Sequence, residues 1–401
     1  MSEPPGAARA DGAEANDGGD PWITGVGMTP FVGESDASLP ALLETAAIEA
    51  LDDADGLPDD LDAVIVGNMA AEAFSRRSGL ANVLAGSLGA YGASARRVEN
   101  TSASGASAIE SAVRALRSGA ADRALVVGGE VMSAASTAES TEIVSRITHS
   151  REYAQGVTLP GFAGLATDAY LEGADAGRAD LARIPVKNHR NGATNPYAHF
   201  QKRIAVEDVL DSPPVASPLR LYDCCPTTDG AAAVVLEGAP ASPTPNGVRV
   251  RRVASAVGTH AVGDRTDPLA LESVATAGEA AFDAVDRSRL DVDVLALHDA
   301  FSVLEWLELE ALGFAERGRA WEDTVAGGHD VDGALPVNPG GGLKARGHPL
   351  GATGVSQVVE LVWQLRGDVP EARAVEDPAV GLALNLAGFG NNAVCTLLSV
   401  D

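Results

Sequence analysis

Lysine is nearly absent from this chain. Of 29 basic residues only Lys187, Lys202 and Lys344 are lysines, and they stand against 56 acidic residues for a formal charge of -27. A field of that sign repels nucleic acid and anionic membrane surfaces, so neither is expected as a partner. High charge alone would suggest disorder, but a 45% hydrophobic content and regular periodicity argue for packed cores. The expected reading is a salt-adapted, halophilic surface, on which carboxylates stay soluble where salt screens their repulsion. Cysteine is scarce too: three residues, with Cys224 and Cys225 adjacent, give neither a disulfide framework nor metal-ligand spacing, so no metal is expected. No apolar run approaches the roughly 20 residues that span a bilayer. Residues 1–20 are rich in Gly, Ala, Asp and Glu without an apolar core, which suits a disordered tail rather than a signal peptide. A cytoplasmic protein is expected.

What is present is written twice. Leu39 to Leu51 has apolar residues at helical spacing, an acidic loop follows, and Leu61 to Asn68 reads as a buried strand. The helix recurs at Leu269 to Val285, the loop at Asp286 to Leu290, and the strand at Val292 to His298. Next in each copy come a helix and a strand: Ser102 to Ser118 with Ala124 to Gly129, and Pro349 to Leu365 with Val380 to Leu386. Strands alternating with such helices argue for parallel-type βαβ units covered on both faces. Residues 134–220, rich in Gly, Asn, Pro and aromatics, break the pattern and read as an inserted loop domain. The expected organisation is a tail (1–20), an N-terminal half (21–133, completed by 221–237), the loop domain (134–220), a Pro-rich linker (238–247) and a C-terminal half (248–401).

The duplication places Ser102 and His348 at equivalent points, each at the N-terminal end of the third element of its half. Helix N-termini present free N–H groups and about half a positive charge, which favours anions. A nucleophile at one end and a base at the other could meet across a two-fold axis. His298 falls at the C-terminal end of its strand, the usual edge for ligand sites in α/β sheets. Blander readings exist: Ser102 is also an ordinary helix cap, His298 alone could be a hydrogen-bonded core histidine, and the run Asn338 to Gly342 could be a turn. The string Gly347-His348-Pro349-Leu350-Gly351-Ala352-Thr353-Gly354 is too long and unusual for a structural role alone.

That string, with His298-Asp299-Ala300-Phe301 before it, Val186 to Tyr197 and Leu219 to Ala233, resembles the thiolase family over about residues 20 to 401. It is most similar to the archaeal and sterol-carrier-protein types, which have His-Asp where other thiolases have Asn-Glu. The resemblance implies an α/β fold of two duplicated halves in five layers (αβαβα) with an inserted loop domain that contacts coenzyme A. The implied activity is that of a β-ketothiolase: Claisen condensation of an acyl-CoA with acetyl-CoA to a 3-ketoacyl-CoA, or the reverse thiolysis. No cofactor is implied beyond coenzyme A thioesters as substrates. It also implies a homo-oligomer, dimer or tetramer, and a small OB-fold and zinc-ribbon partner subunit.

Two departures matter. Ser102 stands where thiolases carry the acylated cysteine, and their second, proton-exchanging cysteine is missing, with Asn385 and Ala300 at the candidate positions. A serine depends on a positioned base, so the expected constellation is Ser102, His298 and His348. In it His348 deprotonates Ser102, and His298 polarises the thioester carbonyl and takes the α-proton. Backbone N–H groups of the last glycine loop, at Ala387 and Gly388, are expected to hold the oxyanion. Cys224 and Cys225, preceding a strand, are expected to be core residues. The alternative function is a catalytically inactive acyl-CoA-binding subunit of a larger complex.

Overall fold

Why nine strands can form one continuous hydrogen-bonded series here is a matter of how the two copies join. The computed structural model describes residues 19–239, 246–283, 285 and 287–400. The expected tail up to residue 18 and residues 240–245 of the expected linker lie outside the described residues. The strands are β1 (Trp22–Met28), β2 (Ala63–Gly67), β3 (Ser94–Val98), β4 (Arg123–Glu130), β5 (Pro214–Ala216), β6 (Leu219–Arg220), β7 (Gly230–Glu237), β8 (Val248–Val257), β9 (Val294–Ala296), β10 (Val380–Ala387) and β11 (Asn392–Ser399). The main sheet runs β3-β2-β4-β7-β1-β8-β11-β10-β9, and β5 pairs β6 separately. Among the described residues the half-sheets join through two ladder pairs, Trp22 with Arg249 and Ile23 with Val248, and the bond from the amide of Val250 to the carbonyl of Pro21.

Each half repeats one pairing scheme. β2 lies parallel to β4, and β4 antiparallel to β7. Likewise β9 lies parallel to β10, and β10 antiparallel to β11. The register of the repeat is fixed by two aspartates with the same task. Asp62 accepts from the amides of Asp122 and Arg123, at 2.8 and 3.0 Å. Asp293 accepts from Ala379 and Val380, at 2.8 and 2.9 Å. Counting from these anchors, Gly67 corresponds to His298, Gly128 to Asn385, and Glu130 to Ala387.

The two βαβ units expected from the sequence are parallel, β2 with β4 and β9 with β10, and the antiparallel neighbours β7 and β11 make the sheet as a whole mixed. β11 follows β10 through a four-residue turn, and a connection that short can only make an antiparallel neighbour. β7 returns from the inserted region and pairs antiparallel with both β4 and β1.

Side-chain alternation along the strands produces the layers. Ile65 and Val126 point to a central core with Ile109 and Val113 of the helix Ser104–Arg117, and with Val355, Val358 and Val362 of the helix Leu350–Arg366. Val64, Val66 and Val127 point the other way, onto Leu43, Ala46 and Ala50 of the helix Leu39–Asp53. In the second half Leu382 and Leu384 meet Val274, Ala277 and Ala281 of the helix Glu272–Phe282. Helix, sheet, helix pair, sheet, helix: five layers of a mixed α/β fold. Each fully buried Val, Leu or Ile contributes about 1.5–3 kcal/mol, and the helix Leu350–Arg366 is buried nearly all round because it is covered by both sheets.

At the molecular centre the two inner helices touch through glycines. A Cβ on Gly105 would lie 2.7 Å from the carbonyl oxygen of Gly351, and one on Gly351 would lie 2.6 Å from those of Gly67 and Gly129. Residues between β4 and β7 form helices, including Leu159–Gly173 and Arg183–Gly192, that pack on the second half. Tyr170 lies against Trp306 with ring centroids 5.1 Å apart, and Lys187 makes a buried ion pair with Glu305 at 3.1 Å.

Candidate active site

Ser102 directly precedes Ala103, the residue that caps the helix Ser104–Arg117. The chain reaches it through Thr101 at φ 46°, a conformation a β-branched residue rarely adopts and one that surrounding bonds must hold. Those bonds are present. The amide of Asn100 donates to Ser104 Oγ at 2.9 Å, and the Asn100 side chain donates to Ser107 Oγ and Asn392 Oδ1, both at 2.9 Å. Ser102 is thereby set at a helix head with 5% of its surface exposed.

His348 takes the matching place before Pro349, which caps the helix Leu350–Arg366. Its Nδ1 lies 2.7 Å from Thr353 Oγ1, whose hydroxyl donates to the carbonyl of Pro349 at 3.1 Å. The threonine oxygen is thus left to accept, the proton of the neutral ring sits on Nδ1, and Nε2 carries a lone pair. Burial, and then the charge of Arg346, push His348 down to about 3, so it is a neutral base at ordinary pH.

His298 follows β9, and its amide donates to Glu308 Oε2 at 2.8 Å. Burial holds Glu308 well above the usual carboxyl range. The Nδ2 of Asn385 lies 3.0 Å from His298 Nδ1. An amide N–H donates there, so the proton of neutral His298 belongs on Nε2, which becomes a donor. Burial, with His348 nearby, holds His298 well below its ordinary range. The two imidazoles meet edge to face with centroids 5.0 Å apart. One ring is set to accept a proton, the other to donate a hydrogen bond.

Buried polar groups hold the loops that bring these rings together. Asp299 accepts from the amides of Leu343 and Lys344, at 2.7 and 3.2 Å, and from Asn188 Nδ2 at 2.7 Å. Asn338, at φ 55°, accepts from the amide of Leu297 at 2.8 Å. Thr228 Oγ1 accepts from the amide of His348 at 2.8 Å.

Ser102, His298, His348 and Gly388 line one cavity of about 300 Å³, together with Leu159, Pro160 and Val215 from the inserted region. Ala387 is buried as the last residue of β10, and Gly388 begins the turn after it at φ 61°. Asn391 Oδ1 accepts from the amide of Phe389 at 3.0 Å and pins that turn. Asn385 lies within β10 rather than in the loop beyond it, and so reaches His298. Cys224 and Cys225 are half-buried; they pack against the core of the second half and also line this cavity. Burial pushes both thiols up to about 12, which leaves them un-ionised. A second cavity of about 410 Å³, lined by Phe162, Leu165 and Leu269 among others, holds none of the three chemistry-bearing residues. Among the described residues no cluster suits a metal ion, and no helix is long and apolar enough to cross a membrane.

Sequence reasoning missed Thr353, Thr228 and the pairing of Asn385 with His298. The spacing from His348 to Thr353 is the one signal for the first. The other two depend on strands brought together by the fold.

A hydroxyl at a helix head, a neutral basic imidazole and a neutral donating one share this cavity, in an enzyme that its relatives mark as an acyltransferase. The model of the thiolase N-terminal domain matches residues 22–239, and that of the thiolase C-terminal domain-like region matches residues 254–400. The chain belongs to the thiolase family. It is 38% identical over 383 residues to an acetyl-CoA acetyltransferase of Methanothermobacter thermautotrophicus, covering 94% of this chain and 98% of that protein. It is 32% identical over 395 residues to human sterol carrier protein 2, covering 94% of this chain and 71% of the relative. Among solved structures, the Ltp2-ChsH2(DUF35) aldolase superposes with a TM-score of 0.80 at 22% identity, covering 96% and 99% of the two chains. Human mitochondrial 3-ketoacyl-CoA thiolase in complex with CoA gives 0.74 at 17%, covering 95% and 98%. At those identities the two structures speak for the fold.

Proposed function

We propose that the protein is a β-ketothiolase that works through an acyl-Ser102 intermediate. The observation that carries this reading is the shared cavity of Ser102, His298 and His348, with the two rings in opposite hydrogen-bonding states. Ser102 Oγ attacks the thioester carbonyl while His348 Nε2 takes its proton. The tetrahedral oxyanion is held by His298 Nε2–H and by the backbone of the Ala387–Gly388 turn. Collapse expels the coenzyme A thiolate, which His348 reprotonates, so the base is neutral again for the second half-reaction. His348 then removes the α-proton of acetyl-CoA, and the carbanion attacks the Ser102 ester, releasing the hydroxyl and a 3-ketoacyl-CoA. Thiolysis is the reverse. This division differs from the sequence expectation in one respect: the α-proton goes to His348, because the bond from Asn385 commits His298 to donation.

Coenzyme A thioesters as substrates fit relatives named acetyl-CoA acetyltransferase and a thiolase neighbour that holds CoA. We infer a homo-oligomer, dimer or tetramer, a salt-adapted surface, and a small partner subunit of OB-fold and zinc-ribbon type. The likeness to an aldolase named for two components, Ltp2 and ChsH2, accords with the partner. The test is turnover of short 3-ketoacyl-CoA esters in molar salt, with and without co-purifying small protein, alongside mass spectrometry after acetyl-CoA treatment. An acetyl group on the Ser102 peptide is expected. Acetyl on Cys224 or Cys225 would overturn the nucleophile, and no turnover in any arm would favour an inactive acyl-CoA-binding subunit.

A further inference from the structure

We propose that Glu130 is the positioning residue for His348: from the opposite half of the molecule, its carboxylate caps the helix at whose head the base sits. The catalytic part of this proposal rests on the role given to His348 above.

Glu130 ends β4 and is fully buried. Its Oε1 accepts from Asn68 Nδ2 at 2.8 Å and from the amide of Ala70 at 3.3 Å. Its Oε2 accepts from the amides of Met69 at 3.0 Å and Gly351 at 3.2 Å. Gly351 is the second residue of the helix Leu350–Arg366, whose own capping residue, Pro349, offers no side-chain bond. A helix N-terminus left uncapped by its own capping residue is therefore capped from the other half of the chain by a carboxylate, the charge its dipole favours. The helix head cannot drift toward the sheet, because Gly351 already lies against the carbonyls of Gly67 and Gly129. Glu130, next in sequence to Gly129, holds it from the same side. His348, two residues before the helix begins, moves with that head.

The repeat sharpens the point. The counterpart of Glu130 is Ala387, which leads into the glycine turn lining the Ser102 cavity. Where the second half opens toward substrate, the first half carries a carboxylate of its own.

Four N–H donors on two oxygens require the ionised form, since a proton on either oxygen would face a donor. Burial pushes Glu130 up to about 7. The bond set is complete above that pH and is lost as pH falls through it. Among the described residues no charged group bonds to Glu130. Its partner on β7 is Gly230, and Asp229 beside it is taken by Met132, Ser133 and Ser35. On the helix side stands His348, pushed down to about 3 and so neutral throughout this range, and behind it Arg346, whose Nη1 donates to Ser356 O. The β2 end and the head of the helix Ser104–Arg117 contribute Gly67, Asn68, Ser104 and Gly105.

The experiment uses the full chain in high salt with ring-labelled histidine, in wild type and Glu130→Gln. His348 is assigned by the loss of its signal in His348→Asn. In wild type the His348 signal should shift with a midpoint near pH 7 although the ring gains no proton, and kcat should fall about 10- to 100-fold below it with KM unchanged. Glu130→Gln turns an NH2 toward two donors, and should show a flat His348 signal and the low kcat at every pH. The proposal is overturned if wild-type His348 ignores pH across this range, or if Glu130→Gln keeps wild-type kcat and its acid limb. Should the variant not fold, the wild-type His348 titration decides alone. If His348 follows Glu130 while no thioester turns over, the acyl-transfer reading fails and the positioning role stands.

Discussion

The two halves share one pairing scheme and one aspartate anchor each, yet only the second half supplies histidine to the site. Gly67 and Gly128 stand in the first half where His298 and Asn385 stand in the second. A Cβ on Gly67 would meet the backbone of Gly105 at 2.8 Å, and one on Gly128 would meet the carbonyl of Gly351 at 2.3 Å. The first half thus uses these positions to admit the two central helices. The second uses them to pair an imidazole with an amide, at 3.0 Å. One scaffold edge serves close packing in one copy and chemistry in the other. The asymmetry follows from which copy's strand ends the helix heads press against.

The sharpest break in that comparison is at the helix heads. Ser102→Ala should lower turnover by about 10⁴-fold or more, as removal of a covalent nucleophile does, measured by 3-ketoacyl-CoA cleavage. Ser102→Cys should retain activity and favour thiolysis, because thiolate is the better nucleophile and leaving group. Conversely, Ser102→Cys with no acyl-enzyme by mass spectrometry would show that the cavity is not built for acyl transfer.

The next effect separates the histidines. His298→Ala removes an oxyanion donor and should slow both half-reactions about 10²- to 10³-fold. It should nevertheless leave deuterium exchange into the methyl of acetyl-CoA less impaired than His348→Ala does. The reverse order would return the α-proton to His298. Placing a side chain where the first half has none gives the third test. Gly128→Ala should destabilise the fold by about 1–3 kcal/mol through overpacking, read by denaturant unfolding, whereas Asn385→Ala should cost less stability and more activity. The smallest effect concerns Cys224 and Cys225. With both thiols pushed up to about 12, iodoacetamide should label them slowly at pH 8, and faster as pH rises. Rapid labelling at pH 8 would mean that the charge of Lys344, whose Nζ donates to the carbonyl of Cys224, outweighs burial.

Much of this was legible before any coordinates. The strand at Ala63–Gly67, the helix Leu350–Arg366 and the duplication itself show as runs of apolar residues with the right period. The meeting of Ser102, His298 and His348 follows from topology once the repeat is seen. Other elements gave no such signal. β1 contains Gly25 and Gly27, poor strand formers, and is a strand because of its neighbours, whereas β8 alternates Val248, Arg249, Val250 and Arg251 only briefly before Arg252 breaks the period. The protonation of each imidazole depends on Asn385 and Thr353. The first lies 87 residues from His298 in the chain, a distance no local pattern spans.

The contact of Gly105 with Gly351 has a thermal consequence. Where the heads of the two helices cross, backbone meets backbone, and there are no rotamers to freeze or release. The spacing of the two helix heads is therefore set at this crossing by main-chain contact. Warming loosens side-chain contacts by opening alternative rotamers, but this spacing has none to open. It should hold its value until the helices themselves part.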